Sequence, residues 1–150
     1  MNHYARFRAM IATSTIVMLG LMYLNTFQLD HVYCSETRAY MALVMGAAMV
    51  ITMLLFMSEM YAGRRMNIGI VAASVIVFAG ALWLVRSQET VEDVSWMKAM
   101  IPHHSIAILT SGRAHISDAR VRKLADGIIE TQRREIAEMK ALISDLENKR

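Results

Sequence analysis

The segment from Trp96 to Thr110 carries the residue types best suited to chemistry: two of the five histidines as an adjacent pair, the only proline, and Met97 and Met100. Wound as a helix at about 100° per residue, Met97, Met100 and His104 fall in one narrow stripe, with His103 one step to its side. Thioether sulfur and imidazole nitrogen are the donors that soft cations select. Pro102 falls on the opposite side. By removing the hydrogen bond to the Lys98 carbonyl it should bend the helix with the stripe on the concave side. The pattern points to a soft-metal site.

Two helices are needed to position these residues. Thr90-Val-Glu-Asp93 has the form of a capping box and predicts a first helix running to about His115, kinked at Pro102. Ile116, Ser117 and Asp118 form a turn, and Ser117 or Asp118 can cap a second helix that ends near Glu147 to Lys149. Its inward stripe collects Val121, Leu124, Ala125, Ile128, Gln132, Glu135, Met139, Ile143 and Leu146. So short a turn makes the helices antiparallel. Centred between Ser117 and Asp118, it sets His103 level with Gln132, Met100 with Glu135 and Met97 close to Met139. The expected site is therefore Met97, Met100, His103, His104 and Met139, with Gln132 and Glu135 as further ligands or as outer partners that orient them. The plain alternative stands beside it: a methionine on a helix face is usually core, and a glutamate beside a buried histidine is often an internal ion pair. His115 reads as a solvent-facing or capping residue, and Trp96 as an interface or core anchor.

The remaining 86 residues are of another kind. The chain is 150 residues long and 55% hydrophobic, with a mean hydropathy of +0.34. It has no charged residue from Ala9 to Phe27, from Ala39 to Met57 or from Met66 to Val85. Each run is close to the ~20 residues that cross a bilayer core as a helix. Three transmembrane helices, 9–27, 39–57 and 66–85, are expected in a membrane domain 1–86, followed by an exported helical hairpin over 87–150. The first run follows Arg6 and Arg8 but lacks a small-residue cleavage pattern, so it reads as a retained anchor and not as a signal peptide. Arg6, Arg8, Arg64 and Arg65 on one side against Arg38 and Arg86 on the other put the N-terminus in the cytoplasm. The hairpin then lies in the periplasm of a bacterium or outside the cell.

The net charge of +3 does not call for a nucleic-acid partner. Residues 87–150 hold ten Lys or Arg and ten Asp or Glu, so the excess sits at the membrane boundaries and no clustered basic face is left for a phosphate backbone. Cys34, the single cysteine, lies three residues from His31 in the first outside loop. The pair is half a metal site; a bystander thiol or a contact between subunits is the alternative. Met41, Met45, Met49, Met53 and Met57 recur every fourth residue in the second span. Beside Gly46, Ala47 and Ala48 they suit a helix-packing face, since a spacing of four drifts around a 3.6-residue helix. No charge inside a span offers an ion relay, which argues against a transporter.

The run Trp-Met-Lys-Ala-Met-Ile-Pro-His-His-Ser-Ile-Ala-Ile-Leu, with Asp118 to Ile129 and Gln132 to Met139 behind it, resembles the domain of unknown function 305 (DUF305) family over residues 93 to about 146. The resemblance implies a ferritin-like helical bundle, usually exported, some members of which bind copper or silver through Met and His. It carries over to Met97, Met100, His103 and His104, and to Gln132, Glu135 and Met139. Two departures are visible: Ile106 and Thr110 stand where copper-binding members tend to have methionine, and Ala119 where proline is frequent. Members with two copies of the motif complete a four-helix bundle alone. This chain has one copy, so its all-α hairpin is expected to be half of such a bundle, completed by a homo-oligomer or within a membrane complex.

Three functional readings follow. The first is a membrane-anchored protein that binds or buffers Cu(I). The second is a non-catalytic accessory or structural subunit in which the His, Met and Glu cluster is a bundle-core network. The third is a ferritin-like oxidoreductase, which ranks last because no Glu lies three residues before a His. The expectation is a protein that is not an enzyme.

Overall fold

The computed structural model describes residues 3–57, 60–61 and 63–149, and among them the chain is helical without strands. Five α-helices follow in order: α1 His3–Leu21, α2 Glu36–Phe56, α3 Arg64–Ser87, α4 Asp93–Arg113 and α5 Ala119–Asn148, with a 3-10 turn Leu29–His31 between α1 and α2. They fall into two units. The first is Met1–Met22 with Thr37–Thr90; the second is Tyr23–Glu36 with Val91–Arg150.

In the first unit α2 and α3 are long and apolar enough to cross a membrane, with mean hydropathies of 2.2 and 2.5. The expected third span is corrected. The helix begins at His3, takes in Arg6 and Arg8, and stops at Leu21, six residues short of Phe27. Just past its end the Thr26 hydroxyl and amide both bond the Tyr23 carbonyl in a turn. The uncharged run was a correct reading of composition, but a run of uncharged residues is not always one helix. Gly46 lets α1 and α2 meet closely, since a Cβ there would lie 2.6 Å from the Thr15 hydroxyl. A polar knot ties the start of α1 to that of α3: the Tyr4 hydroxyl donates to Asn67 (2.9 Å) and accepts from the Gly63 amide (3.2 Å), and Asn67 donates to the Tyr61 carbonyl. Phe7 and Tyr61 meet edge to face beneath it, in a small cluster with Leu54.

The second unit is the hairpin of α4 and α5, as the periodicity predicts. Its ends differ in detail. Helix α4 starts at Asp93, with Glu92 at the cap and no side-chain cap bond, so the Thr90 capping box does not form. Asp118 does cap α5, accepting from the amides of Arg120 and Val121. The Arg120 guanidinium bonded to it, aided by those amides, holds its carboxyl down at about 2.

The core is Met97, Ile101 and Ile108 of α4 against Ile136, Met139 and Ile143 of α5, with Ile129 and Leu146 packed on it. The inward stripe of α5 is thus rotated from the expected one. Ile136 is inside, whereas Val121, Leu124 and Ile128 are exposed. A single facing helix covers only the narrow seam of a 3.5-residue repeat, not the wider stripe read from the sequence.

Tyr23–Glu36, which the sequence boundary at residue 86 assigned to the membrane domain, packs with the hairpin. Phe27 and His31 both bind Ser105 of α4.

Candidate metal centre on the helical hairpin

His104 is the best-oriented group of the predicted set. Its Nδ1 lies 2.9 Å from the Met100 carbonyl one turn back, and its Nε2 lies 2.9 Å from Glu135 Oε2 on α5. Both partners are acceptors, and a neutral imidazole has only one N–H. The arrangement is satisfied by imidazolium with carboxylate, by imidazole with carboxylic acid, or by a cation in place of the second proton. In the last case Nδ1–H stays on the carbonyl and turns the Nε2 lone pair toward Glu135, the orientation that metal-binding histidines take from their outer partners. The His104 side chain is mostly buried and that of Glu135 about half exposed, so the pair opens toward solvent on one side.

The structure distributes the rest of the set around this pair. Met97 and Met139 are buried in the hairpin core, and Met100 packs against the same cluster. His103 is exposed, its ring centroid 6.1 Å from that of His104. The register runs about one helical turn further along α5 than the turn position predicts, because His104, not Met100, meets Glu135. Gln132 is partly buried and borders Leu124 and Ile128 on the outer face of α5. Among the described residues no three of His, Cys, Asp and Glu gather closely enough to hold a metal ion. A site here therefore depends on thioethers, which fits a soft cation and not a hard one.

The secondary pair does not share one environment. His31 is buried, with Nδ1 2.9 Å from the Ser105 hydroxyl, whereas the Cys34 thiol is exposed. Burial lowers the imidazole below its ordinary value, the Lys140 charge adds to this, and Asp30 opposes it. Ser105, wholly buried, also accepts from the Phe27 amide at 2.7 Å. On the helical wheel Ser105 falls away from the His104 stripe. It does point away, and it anchors the 23–36 loop. The available signal was a small polar side chain in an apolar helical segment, which needs a partner if buried.

The geometry defines a class: a chain that is helical throughout its described residues, with two helices long and apolar enough to cross a membrane and a hairpin that bears a solvent-open His–Glu pair and buries two methionines in its core. The family model described as Domain of unknown function (DUF305) matches residues 84–149. An uncharacterized protein of Acanthamoeba polyphaga mimivirus is 30% identical over 114 residues, 73% of each chain. The chain belongs to the DUF305 family. No solved structure matches it.

Proposed function

We propose that the protein is a membrane-anchored metal-binding protein that holds or buffers Cu(I) on the hairpin. The observation that carries this reading is the His104 ring, with Nδ1 held by the Met100 carbonyl and Nε2 aimed at Glu135. Met100, whose carbonyl holds His104, offers a thioether, Met97 and Met139 lie in the hairpin core against which Met100 packs, and exposed His103 offers a second imidazole. Soft sulfur with imidazole selects Cu(I) over hard divalent cations.

Anchoring rests on α2 and α3. Only 22% and 11% of their most apolar windows is buried, unlike the core helix of a soluble protein. An even number of crossings between Glu36 and Val91 also returns the chain to the side it left. This is what allows Tyr23–Glu36 and Val91–Arg150 to build one unit. With Arg64 and Arg65, between α2 and α3, on the cytoplasmic side of a bacterial inner membrane, the hairpin falls on the periplasmic side.

The second reading is an accessory or structural subunit of a membrane complex. It draws on the burial of Met97 and Met139, which are placed as core residues would be. Elemental analysis separates the two. The detergent-purified chain, exposed to copper under reducing conditions, should retain copper at a fixed ratio, and the His103→Ala/His104→Ala variant should lose it while keeping its helical circular dichroism. Copper absent from both samples would sink the metal reading and leave the His104–Glu135 pair as a hairpin fastener.

A further inference from the structure

The 23–36 loop, seated on Ser105, forms a solvent-open pocket of about 290 Å³ against α4 and α5, with Arg133 at its exposed rim. That is roughly twice the size of a cavity known to take benzene (~150 Å³). Phe27, Ile108 and Ile136 give it apolar walls, and Arg133, Lys140 and His31 line it with nitrogen. No carboxylate is among the lining residues. Lys140 is bonded to Asp30, which lies outside the lining, and no hydrogen bond or ion pair engages Arg133 among the described residues. The positive potential is felt inside, since the Lys140 charge is the second cause lowering the buried His31 imidazole.

Arg133 and Glu135 sit two residues apart on α5, about 200° around the helix. The cavity is thus on another side of α5 from the Glu135 that faces His104. We infer that this cavity binds a small amphipathic monocarboxylate, its ring or branched tail against Phe27, Ile108 and Ile136 and its carboxylate on the Arg133 guanidinium. Three features select that class over a bare anion or a neutral ring. The walls reward burial of an apolar group of one-ring size. A guanidinium matches a planar carboxylate with two parallel N–H···O bonds. Asp30 already offsets Lys140, so one unbalanced positive charge remains, which suits a single negative charge.

Isothermal titration of the full chain in detergent tests it, with benzoate as the probe, benzyl alcohol as its neutral counterpart and inorganic phosphate as the bare anion. Benzoate should bind saturably, and benzyl alcohol and phosphate much more weakly. Arg133→Gln should weaken benzoate about tenfold or more, the loss of one charge-assisted pair. Arg133→Lys should keep part of the affinity, and Ala137→Phe, which fills the cavity from its lining, should remove it. Circular dichroism of each variant confirms that the hairpin is folded. Absence of saturable benzoate binding, equal binding of benzyl alcohol or phosphate, or full affinity in folded Arg133→Gln would each overturn the assignment. The site is independent of copper, so the His103→Ala/His104→Ala variant should bind benzoate as the native chain does.

Discussion

Both units of this chain bury apolar side chains, but they differ in what they leave outside. In the second unit the inside is apolar, with Ile101 wholly buried between Met97, Ile108 and the isoleucines of α5, while charges such as the Lys98–Glu147 and Lys149–Asp145 pairs lie outside. In the first unit large apolar side chains also stand outside, among them Ile16, Leu55, Ile68 and Ile76, around an apolar cluster of Phe7, Leu54 and Tyr61 and the part-buried bonds of Tyr4, Asn67 and the Tyr61 carbonyl. The hydrophobic effect accounts for the hairpin core. It gives no partner in water to the exposed apolar faces of α2 and α3; a bilayer around them, as proposed above, would remove that penalty and leave close packing at residues such as Gly46 and interhelical hydrogen bonds to hold the helices together. On that proposal the two units differ in solvent.

The largest expected effect comes from placing the same charge on each surface. Ile76, near the middle of α3, is 72% exposed, and Leu124 on α5 is 65% exposed. If lipid faces α3, Ile76→Lys should cost about 3 kcal/mol of insertion at the helix centre. Leu124→Lys should stay within about 0.5 kcal/mol, as surface changes do in water. Membrane-fraction yield and protease protection of the two variants report this. Equal yields would break the comparison by showing that α3 faces water or another protein chain.

The contrast was partly legible from composition. Uncharged runs located α2 and α3, and the 3.6-residue pattern with Asp118 as cap located the hairpin. What composition could not carry was where the chain turns. Helix α1 ends at Leu21 and the Thr26–Tyr23 turn follows, local bonding that no hydropathy sum contains. The register of the hairpin failed in the same way. Glu135 lies in the expected stripe, yet its partner is His104 and not Met100: the effective turn centre lies two residues further along the chain than expected, and each residue of error shifts the pairing by two. The role of the 23–36 loop was hidden for a different reason. His31 and Ser105 are 74 residues apart, and neither shows by itself which surface it seeks.

A middle-sized effect tests whether that loop truly belongs to the water-facing unit. Ser105→Ala removes the acceptor for the Phe27 amide and the partner of His31 Nδ1 in a wholly buried place. Stranding such groups costs about 1–3 kcal/mol. The loop should detach before the hairpin melts, because the core of Ile101, Ile136 and Met139 is untouched. Hydrogen exchange should accelerate at Phe27 and remain slow at Ile136. Unchanged protection at Phe27 would mean that the loop is held by its apolar contacts alone.

The smallest effect sharpens the same point through pH. The His31 imidazole lies below its ordinary value of 6.5, first because burial disfavours its charged form and then because of the Lys140 charge, with Asp30 acting against both. The unfolded chain therefore takes up a proton on His31 before the folded chain does. The stabilisation is complete above 6.5 and declines as the pH falls from there toward the folded value, where it levels off. Urea midpoints taken at about pH 7.5 and about pH 5.5 should fall in the native chain and fall less in His31→Gln, whose amide can still reach Ser105. A fall of equal size in both would assign the pH response to other groups, with the His104–Glu135 pair the first to test by Glu135→Gln. His31 is almost wholly buried and bonded to Ser105, so the difference between the two chains measures how much of the pH response comes from this one loop residue on the hairpin.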